Sequence, residues 1–415
     1  VTLEGPPVPR VLGELGPDGT GPTLLVVSGL HGNEPAGVVA SQKVVSALSD
    51  RAEALRGRIH FLTGNRSALA AGVRYLDRDL NRAWTPARLR LLRAGAPPGF
   101  ELDVAREDRE QRELLAELER VLELSGPAYA LDLHTTSGPD GVFTTIGDTL
   151  ENRSLARALP VPLVLGLEEL VEGTLHEYLG ERGVVSLAFE AGQHVELEAV
   201  ARAEAAIWIL IGVTGLLPES ELPELHEARR LLARTGRRFP RVLEFRYRHA
   251  LLDGDGFRMR AGYRSFVPVV PGEVIGDDHG GPVRSPERGR LLMPLYQPQG
   301  QDGFFVVREF RVAWLHVSQL LRGLGVGRVV HWLPGIHRHP AIPGGLVVNR
   351  RIARWYPLQI LHLLGFRRHI EDGDRLVVLQ RGVEIPDSSE GPGPTLDARS
   401  VRARGGDGDG PLPPD

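Results

Sequence analysis

Three side chains from two distant segments have the types and spacing to hold one metal ion. Gly29-Leu30-His31-Gly32-Asn33-Glu34-Pro35 directly follows a compact apolar run, Thr23–Ser28. His31 and Glu34 stand three apart, so within one turn an imidazole nitrogen and a carboxylate oxygen can meet the same ion. A catalytic zinc centre takes three protein ligands and keeps a position for water. His134 is the natural third, because it ends the apolar segment Ala130-Leu131-Asp132-Leu133-His134. The C-terminal ends of parallel strands border the ligand crevice of α/β sheets. His31, Glu34 and His134 therefore read as a two-histidine, one-glutamate site for one Zn2+ per chain. By itself His-x-x-Glu also describes a turn histidine beside a solvated glutamate. The weight lies in both pieces ending apolar strands.

A water on such an ion gains from a nearby proton acceptor. Glu190 is the best candidate, since it ends Val184-Val185-Ser186-Leu187-Ala188-Phe189. The bland alternative is a surface glutamate, of which this chain has many. His194 reads as a pocket residue or a fourth ligand, ranked below the other three because an extra ligand would compete with water. The run Arg74-Tyr75-Leu76-Asp77-Arg78-Asp79-Leu80-Asn81-Arg82 supplies anion-binding chemistry. Arg74 and Arg82 could clamp a carboxylate, Asn81 could hydrogen-bond it, and one arginine could instead polarise a scissile carbonyl. Arg78 reads as paired internally with Asp77 or Asp79. Asp132, two before His134, shares its side of the strand and could orient the imidazole, though an ordinary structural hydrogen bond fits as well.

The elements that must position these groups follow an α/β rhythm: strand at Thr23–Ser28, helix at 38–48, strand at Arg58–Thr63. An amphipathic helix is expected at 107–123, and strands at 129–133, 143–146, 162–165 and 184–189. A loop is expected at 94–100, and a long apolar helix at 196–217 closes this part. The first twenty residues, rich in Gly and Pro, read as a lead-in. Beyond Pro218 the pattern becomes β-rich, with strands expected at 241–252, 258–268, 290–295, 303–313 and 374–380. Short helices are expected at 314–324 and 355–364. Residues 388–415 hold few apolar side chains and read as a disordered tail. The domain expectation is thus 1–217 for the zinc site, 218–387 for a β-rich unit shaping the cleft or an interface, and 388–415 for the tail.

Composition narrows the class. The 415 residues carry 49 basic and 53 acidic groups, a net charge of −4 that gives no global pull toward nucleic acid. Lys43 is the single lysine. With no cysteine, thiolate metal sites, disulfides and a cysteine nucleophile are excluded. The longest apolar run is too short to span a bilayer, so no membrane partner is expected. No targeting signal is evident, and a cytoplasmic location is the default expectation. His331, His337 and His339 have no acidic partners nearby and read as a surface or interface loop.

Four segments in order make a resemblance specific: 29–37, then Gly64-Asn65 leading to 74–82, then 132–134, then 189–192. Over roughly residues 20–215 the chain resembles the succinylglutamate desuccinylase/aspartoacylase family of zinc carboxypeptidase-like hydrolases. The resemblance implies a zinc-carboxypeptidase-like mixed sheet flanked by helices, followed by a β-rich second domain. It implies zinc on His31, Glu34 and His134, Glu190 as general base and acid, Asn81 and Arg82 on the substrate carboxylate, and Arg74 on the amide carbonyl. Family members carry a tyrosine and an arginine shortly before the catalytic glutamate for the acyl carboxylate; Tyr178 and Arg182 are the candidates here. The expected activity is a zinc-dependent amidohydrolase acting on a small N-acyl amino acid, with homo-oligomerisation left open. The alternatives are a metallocarboxypeptidase or peptide amidase with the same centre, and a non-catalytic zinc-binding protein on the same fold.

Overall fold

The computed structural model describes residues 7–94, 105–340, 345–349, 364, 366–372 and 375–380, less 18, 20, 125, 168 and 169. Nearly all of the expected loop at 94–100 and helix at 355–364, and the whole tail at 388–415, lie outside these residues.

The strands in chain order are β1 (Val11–Leu15), β2 (Thr23–Ser28), β3 (Arg58–Thr63), β4 (Ala128–Thr136), β5 (Val142–Ile146), β6 (Leu163–Leu165), β7 (Val185–Gln193), β8 (Val242–Ala250), β9 (Arg258–Met259), β10 (Pro268–Val269), β11 (Val274–Asp278), β12 (Gly281–Arg284), β13 (Gly289–Leu292) and β14 (Asp302–Glu309). A small separate sheet is built from Ile336–Arg338, Leu346–Asn349, Phe366–Asp372 and Arg375–Gln380. The helices are α1 (Ala36–Leu48), α2 (Arg66–Ala71), α3 (Pro86–Ala94), α4 (Arg106–Leu122), α5 (Leu150–Arg157), α6 (Leu175–Glu181), α7 (Glu198–Val213), α8 (Glu224–Gly236) and α9 (Val312–Gly323).

One mixed sheet of eleven strands dominates, in the order β1-β3-β2-β4-β7-β5-β6-β8-β14-β13-β10. Its centre is parallel: β3, β4 and β7 run with β2. Strand β2 shows why its sequence is apolar without alternation. Leu24 and Val26 pack into the core under α1, α7 and α8, while Leu25 and Val27 pack into the core under α3, α4 and α6. A strand covered on both faces must be apolar at every position.

The mixed sheet with helices on its faces is the fold class expected from sequence. Several elements differ from expectation, among them three that shape the architecture. Residues 11–15, expected within the lead-in, pair antiparallel with β3, and Leu12 and Leu15 pack on the main core. The expected strand at 258–268 shrinks to the two-residue pieces β9 and β10, because Gly262 and Phe266 take left-handed φ of 94° and 67°. Residues 224–236 form α8, whose Leu225, Ala228 and Leu232 at helical spacing pack beside α7. The sheet itself continues across residue 218, since β8 pairs parallel with β6 and Leu243 and Phe305 share a core with Phe143 and Val164. No helix among the described residues is long and apolar enough to cross a membrane.

Candidate metal centre

The site forms where β2, β4 and β7 end side by side. His134 and Glu190 are register partners on β4 and β7, and Asp132 faces Ala188 two residues earlier. Both strands run past these residues, to Thr136 and Gln193, so His134 and Glu190 lie within strands rather than at their tips. After β2 the chain turns at Gly29, with φ of 69°, and delivers His31 and Glu34 over the sheet edge. Gly32 lies so close to α2 that a Cβ there would sit 2.0 Å from the Ala68 carbonyl carbon. Only glycine permits that approach.

His31, Glu34 and His134 are buried, and one ligand atom from each lies within 4.8 Å of the others. His31 Nδ1 is 2.9 Å from Glu34 Oε1, and His134 Nδ1 is 3.1 Å from Glu34 Oε2. The far nitrogens meet aspartates: His31 Nε2 lies 3.1 Å from Asp79 Oδ1, and His134 Nε2 lies 3.0 Å from Asp132 Oδ2. An imidazole that donates from Nε2 turns its Nδ1 lone pair inward, which is how carboxylates orient metal-binding histidines. A cation between the two rings would draw on both Nδ1 lone pairs and a Glu34 oxygen at once. Charge agrees with this fit. Glu34 and Asp79 both lie against the guanidinium of Arg74, Asp132 stands behind His134, and buried carboxylates need compensation. This donor set of two imidazoles and a carboxylate suits zinc.

The ionisation of the bare side chains follows from that crowding. Burial opposes charge on Glu34, yet His31 and His134 outweigh it and hold the carboxyl well below its ordinary range. Burial likewise opposes charge on His134, but Asp132 and Glu34 win and raise the ring well above its usual value. Glu190 goes the other way: burial, reinforced by Glu34 and Asp132 and opposed by His134 and Arg74, pushes it up to about 8. Among the described residues its buried Oε2 has no hydrogen-bond partner. A carboxylate oxygen left free beside a metal-binding group is available to a reacting molecule.

The loop carrying the arginines is pinned from below. Glu107, at the start of α4, accepts the backbone N–H of Leu76, Asp77 and Arg78 at 2.7, 3.0 and 3.2 Å. Asp79 then organises its surroundings: it takes Nε and Nη2 of Arg74, the N–H of Asn81, and faces His31. Arg74 Nη1 is also 3.6 Å from Glu34. Asn81 Oδ1 accepts the N–H of Leu175 and so ties this loop to α6. Arg82 reaches Asp302 on β14 at 2.7 Å, while Arg248 on β8 binds the other Asp302 oxygen. Gln297 bridges Asn33, at 2.6 Å, and His194, at 3.1 Å. Residues beyond 218 thus complete a cleft of about 1100 Å³, counted out to its open mouth.

Residues 20–207 match the family model for the succinylglutamate desuccinylase/aspartoacylase catalytic domain. The match covers less than half of the chain, so the likeness to that family is a likeness of this segment. A succinylglutamate desuccinylase of Pseudomonas syringae pv. tomato is 37% identical over 62 residues, which is 15% of this chain and 18% of that protein. One from Burkholderia pseudomallei is 36% identical over 84 residues, 20% of this chain and 24% of that protein. The matches therefore span less than a quarter of these curated relatives. Among solved structures, a succinylglutamate desuccinylase/aspartoacylase from Rhodobacter sphaeroides superposes with a TM-score of 0.50 at 19% identity, covering 72% of this chain and 88% of its own. A succinylglutamate desuccinylase from Silicibacter sp. TM1040 gives 0.50 at 19%, covering 70% and 86%. These two likenesses show the shared fold.

Within the matched segment, His31, Glu34, His134, Glu190, Arg74, Asn81 and Arg82 all line one cleft, with Asp132 and His194. Tyr178 and Arg182 are not brought there, which corrects the expectation that they bind substrate. Tyr178 is buried against Trp84, ring centroids 5.3 Å apart, and Arg182 lies over the outer face of the Tyr178 ring toward Glu119. The cause is helical phase. On α6 it is His176 and Glu177 that face the cleft, and Tyr178 and Arg182 turn toward α4. Sequence reasoning missed Asp79 as the partner of His31, Glu107 as the anchor of the loop, and Gln297 and Asp302 altogether. From sequence Asp79 reads only as a possible partner of Arg78, although it stands between two other candidate arginines, Arg74 and Arg82. Gln297 and Asp302 carry no local signal. Arg78 pairs with Asp108 on α4, at 3.3 Å, instead of with Asp77 or Asp79. His337 is exposed on a strand of the small sheet, away from the cleft.

Proposed function

We propose that this chain is a zinc-dependent amidohydrolase that cleaves the amide bond of an N-acyl amino acid or a related small carboxylate-bearing substrate. The observation that carries the reading is the convergence of His31, Glu34 and His134 next to a Glu190 oxygen that has no hydrogen-bond partner among the described residues. Zinc held by those three residues would supply Lewis-acid activation of water and of the amide carbonyl. Glu190 takes a proton from the attacking water and returns it to the departing amine nitrogen. One C–O bond forms, the C–N bond breaks, and a carboxylic acid and an amine leave. Asp79 and Asp132 hold the two imidazoles in register for the ion. Arg74, fixed by Asp79, stands beside Glu34 and is placed to stabilise the oxyanion. Asn81 and Arg82, which both line the cleft, bind the substrate carboxylate.

Metal analysis of the purified chain, paired with a hydrolysis screen of N-acyl amino acids, tests this. Zinc near one per chain and release of free amino acid are expected. Glu190→Gln should keep the metal and lose at least roughly a hundredfold in turnover, the usual contribution of a general acid–base. A chain that binds no zinc, or a Glu190→Gln enzyme as fast as the parent, overturns the reading.

A further inference from the structure

The cleft has a second wall that the chemistry above does not use. Phe143, Leu167, Val171, Met293 and Phe305 line it and belong to one apolar cluster. Leu167 and Met293 are only partly buried, so the cluster presents a surface to the cleft as well as a core behind it. Ile146, buried at the end of β5, extends the same wall.

The backbone holds this wall at some cost. Met293 has φ of 51° and Phe266 has φ of 67°, left-handed values that bulky residues rarely adopt. The two are locked together. The Met293 N–H donates to Ser265 Oγ at 3.2 Å, the Ser265 N–H donates to the Pro139 carbonyl at 3.0 Å, and Phe266 meets Phe143 edge-on at 6.0 Å. Strained conformations that the surroundings enforce are common at ligand-binding positions. Here the enforced residue puts a thioether side chain against the cleft.

Charge points the same way. Among the described residues lining the cleft, the permanent cations are Arg74 and Arg82, and each is already matched, by Asp79 and Asp302 respectively. The lining acids are Glu34, Asp132, Glu177, Glu190 and Asp302. Arg74 Nε and Nη2 are held by Asp79 and Arg82 Nη2 by Asp302, so the guanidinium charge of the cleft is largely committed. A second carboxylate on the acyl side would lie against an apolar wall in an acid-rich cleft, and would lose hydration with no cation to replace it.

We propose that the acyl subsite of this cleft is apolar and takes an uncharged hydrocarbon acyl chain, so that the substrates are N-acyl amino acids of medium-chain or aromatic acids and not of dicarboxylic acids. This rests on the amidohydrolase reading above and specifies the acyl group that reading leaves open. Because each buried methylene adds favourable transfer free energy, a longer chain should be favoured until the wall is filled.

The test uses the zinc-loaded full chain and three derivatives of one amino acid: N-acetyl, N-hexanoyl and N-succinyl. The expected result is a kcat/KM for hexanoyl at least about tenfold above both others. Calorimetric binding of the same three compounds to Glu190→Gln is the second arm and should give the same order. If nothing is hydrolysed, the amidohydrolase reading fails while the binding order still decides the subsite. Succinyl equal to or better than hexanoyl in the arm that reads, or no preference in binding, overturns the apolar subsite. Leu167→Arg, a change at a half-buried rim position, should move the hexanoyl-to-succinyl ratio about tenfold toward succinyl; an unmoved ratio also counts against it.

Discussion

Replacing Asp302 with asparagine isolates the link between the region beyond residue 218 and the cleft-lining Arg82. The Asp302 carboxylate accepts from Arg82 on one oxygen and Arg248 on the other, and Arg248 also donates to the Leu170 carbonyl at 2.7 Å. Asparagine keeps the shape and removes the charge, leaving two guanidinium groups facing each other. Breaking a fully buried pair costs about 3–5 kcal/mol, and an exposed pair is worth about 0–1. The Asp302 side chain is 14% exposed and its partners 18% and 20%, so the site lies nearer the buried limit. A loss of about 2–3 kcal/mol at pH 7 is expected, read as a lowered urea midpoint at unchanged m-value. The pH dependence has a defined sign. Burial works against the carboxylate, yet Arg82 and Arg248 outweigh it and hold Asp302 below its ordinary 3.8. A depressed carboxyl stabilises the fold above its unfolded value and loses that contribution as pH falls through the folded one. The gap between parent and Asp302→Asn should therefore be full at pH 6–7 and narrow steadily below about pH 4. The same variant should raise KM for a carboxylate-bearing substrate more than it lowers kcat, because Arg82 loses its anchor. A variant within about 0.5 kcal/mol of the parent at pH 7, or a gap that widens in acid, would refute this account of the ion pair.

Three further outcomes are expected at the site. Asp79→Asn removes the charge and one of the two acceptor oxygens that orient His31 and Arg74, and zinc affinity measured by competition with a chelator should fall about 10–100-fold. Gly32→Ala puts a methyl into the backbone of α2, and a loss of about 1–3 kcal/mol in thermal or urea unfolding is expected, with weakened metal binding because the strained loop carries His31 and Glu34. Arg182→Ala should leave KM within about twofold of the parent, since that guanidinium lies on the Tyr178 ring outside the cleft; a larger rise in KM would put it back among the substrate contacts.

Local order decides how much of the site is legible in the sequence. His31 and Glu34 share a turn, and His134 and Glu190 sit on apolar strands whose parallel pairing brings them together, so strand patterning and residue chemistry suffice. Tyr178 and Arg182 mislead because proximity in sequence to Glu190 says nothing about which side of α6 faces the cleft. Asp79 and Asp132 are equally acidic on paper, but only Asp132 shares an element with a ligand histidine, so only it can be tied to one. Asp302 and Gln297 reach the site from residues far along the chain, through the pairing of β8 with β6 and of β14 with β8. Partner choice between strands leaves no mark in the sequence of either one. The same holds for β1, a five-residue strand whose identity depends on the β3 edge it joins.

The pairing of β6 with β8 also sets where this protein can be cut. The boundary suggested by composition falls in the connection between α7 and α8, yet the eleven-strand sheet runs straight through it. A fragment ending near residue 217 would bare the row of amide and carbonyl groups along three-residue β6 and strip the hydrocarbon from Phe143 and Val164. Such raw edges recruit other chains. The half that carries the His31, Glu34 and His134 cluster therefore leans on β8 and β14 for its solubility, and shortening the polypeptide there should yield precipitate instead of a smaller folded protein.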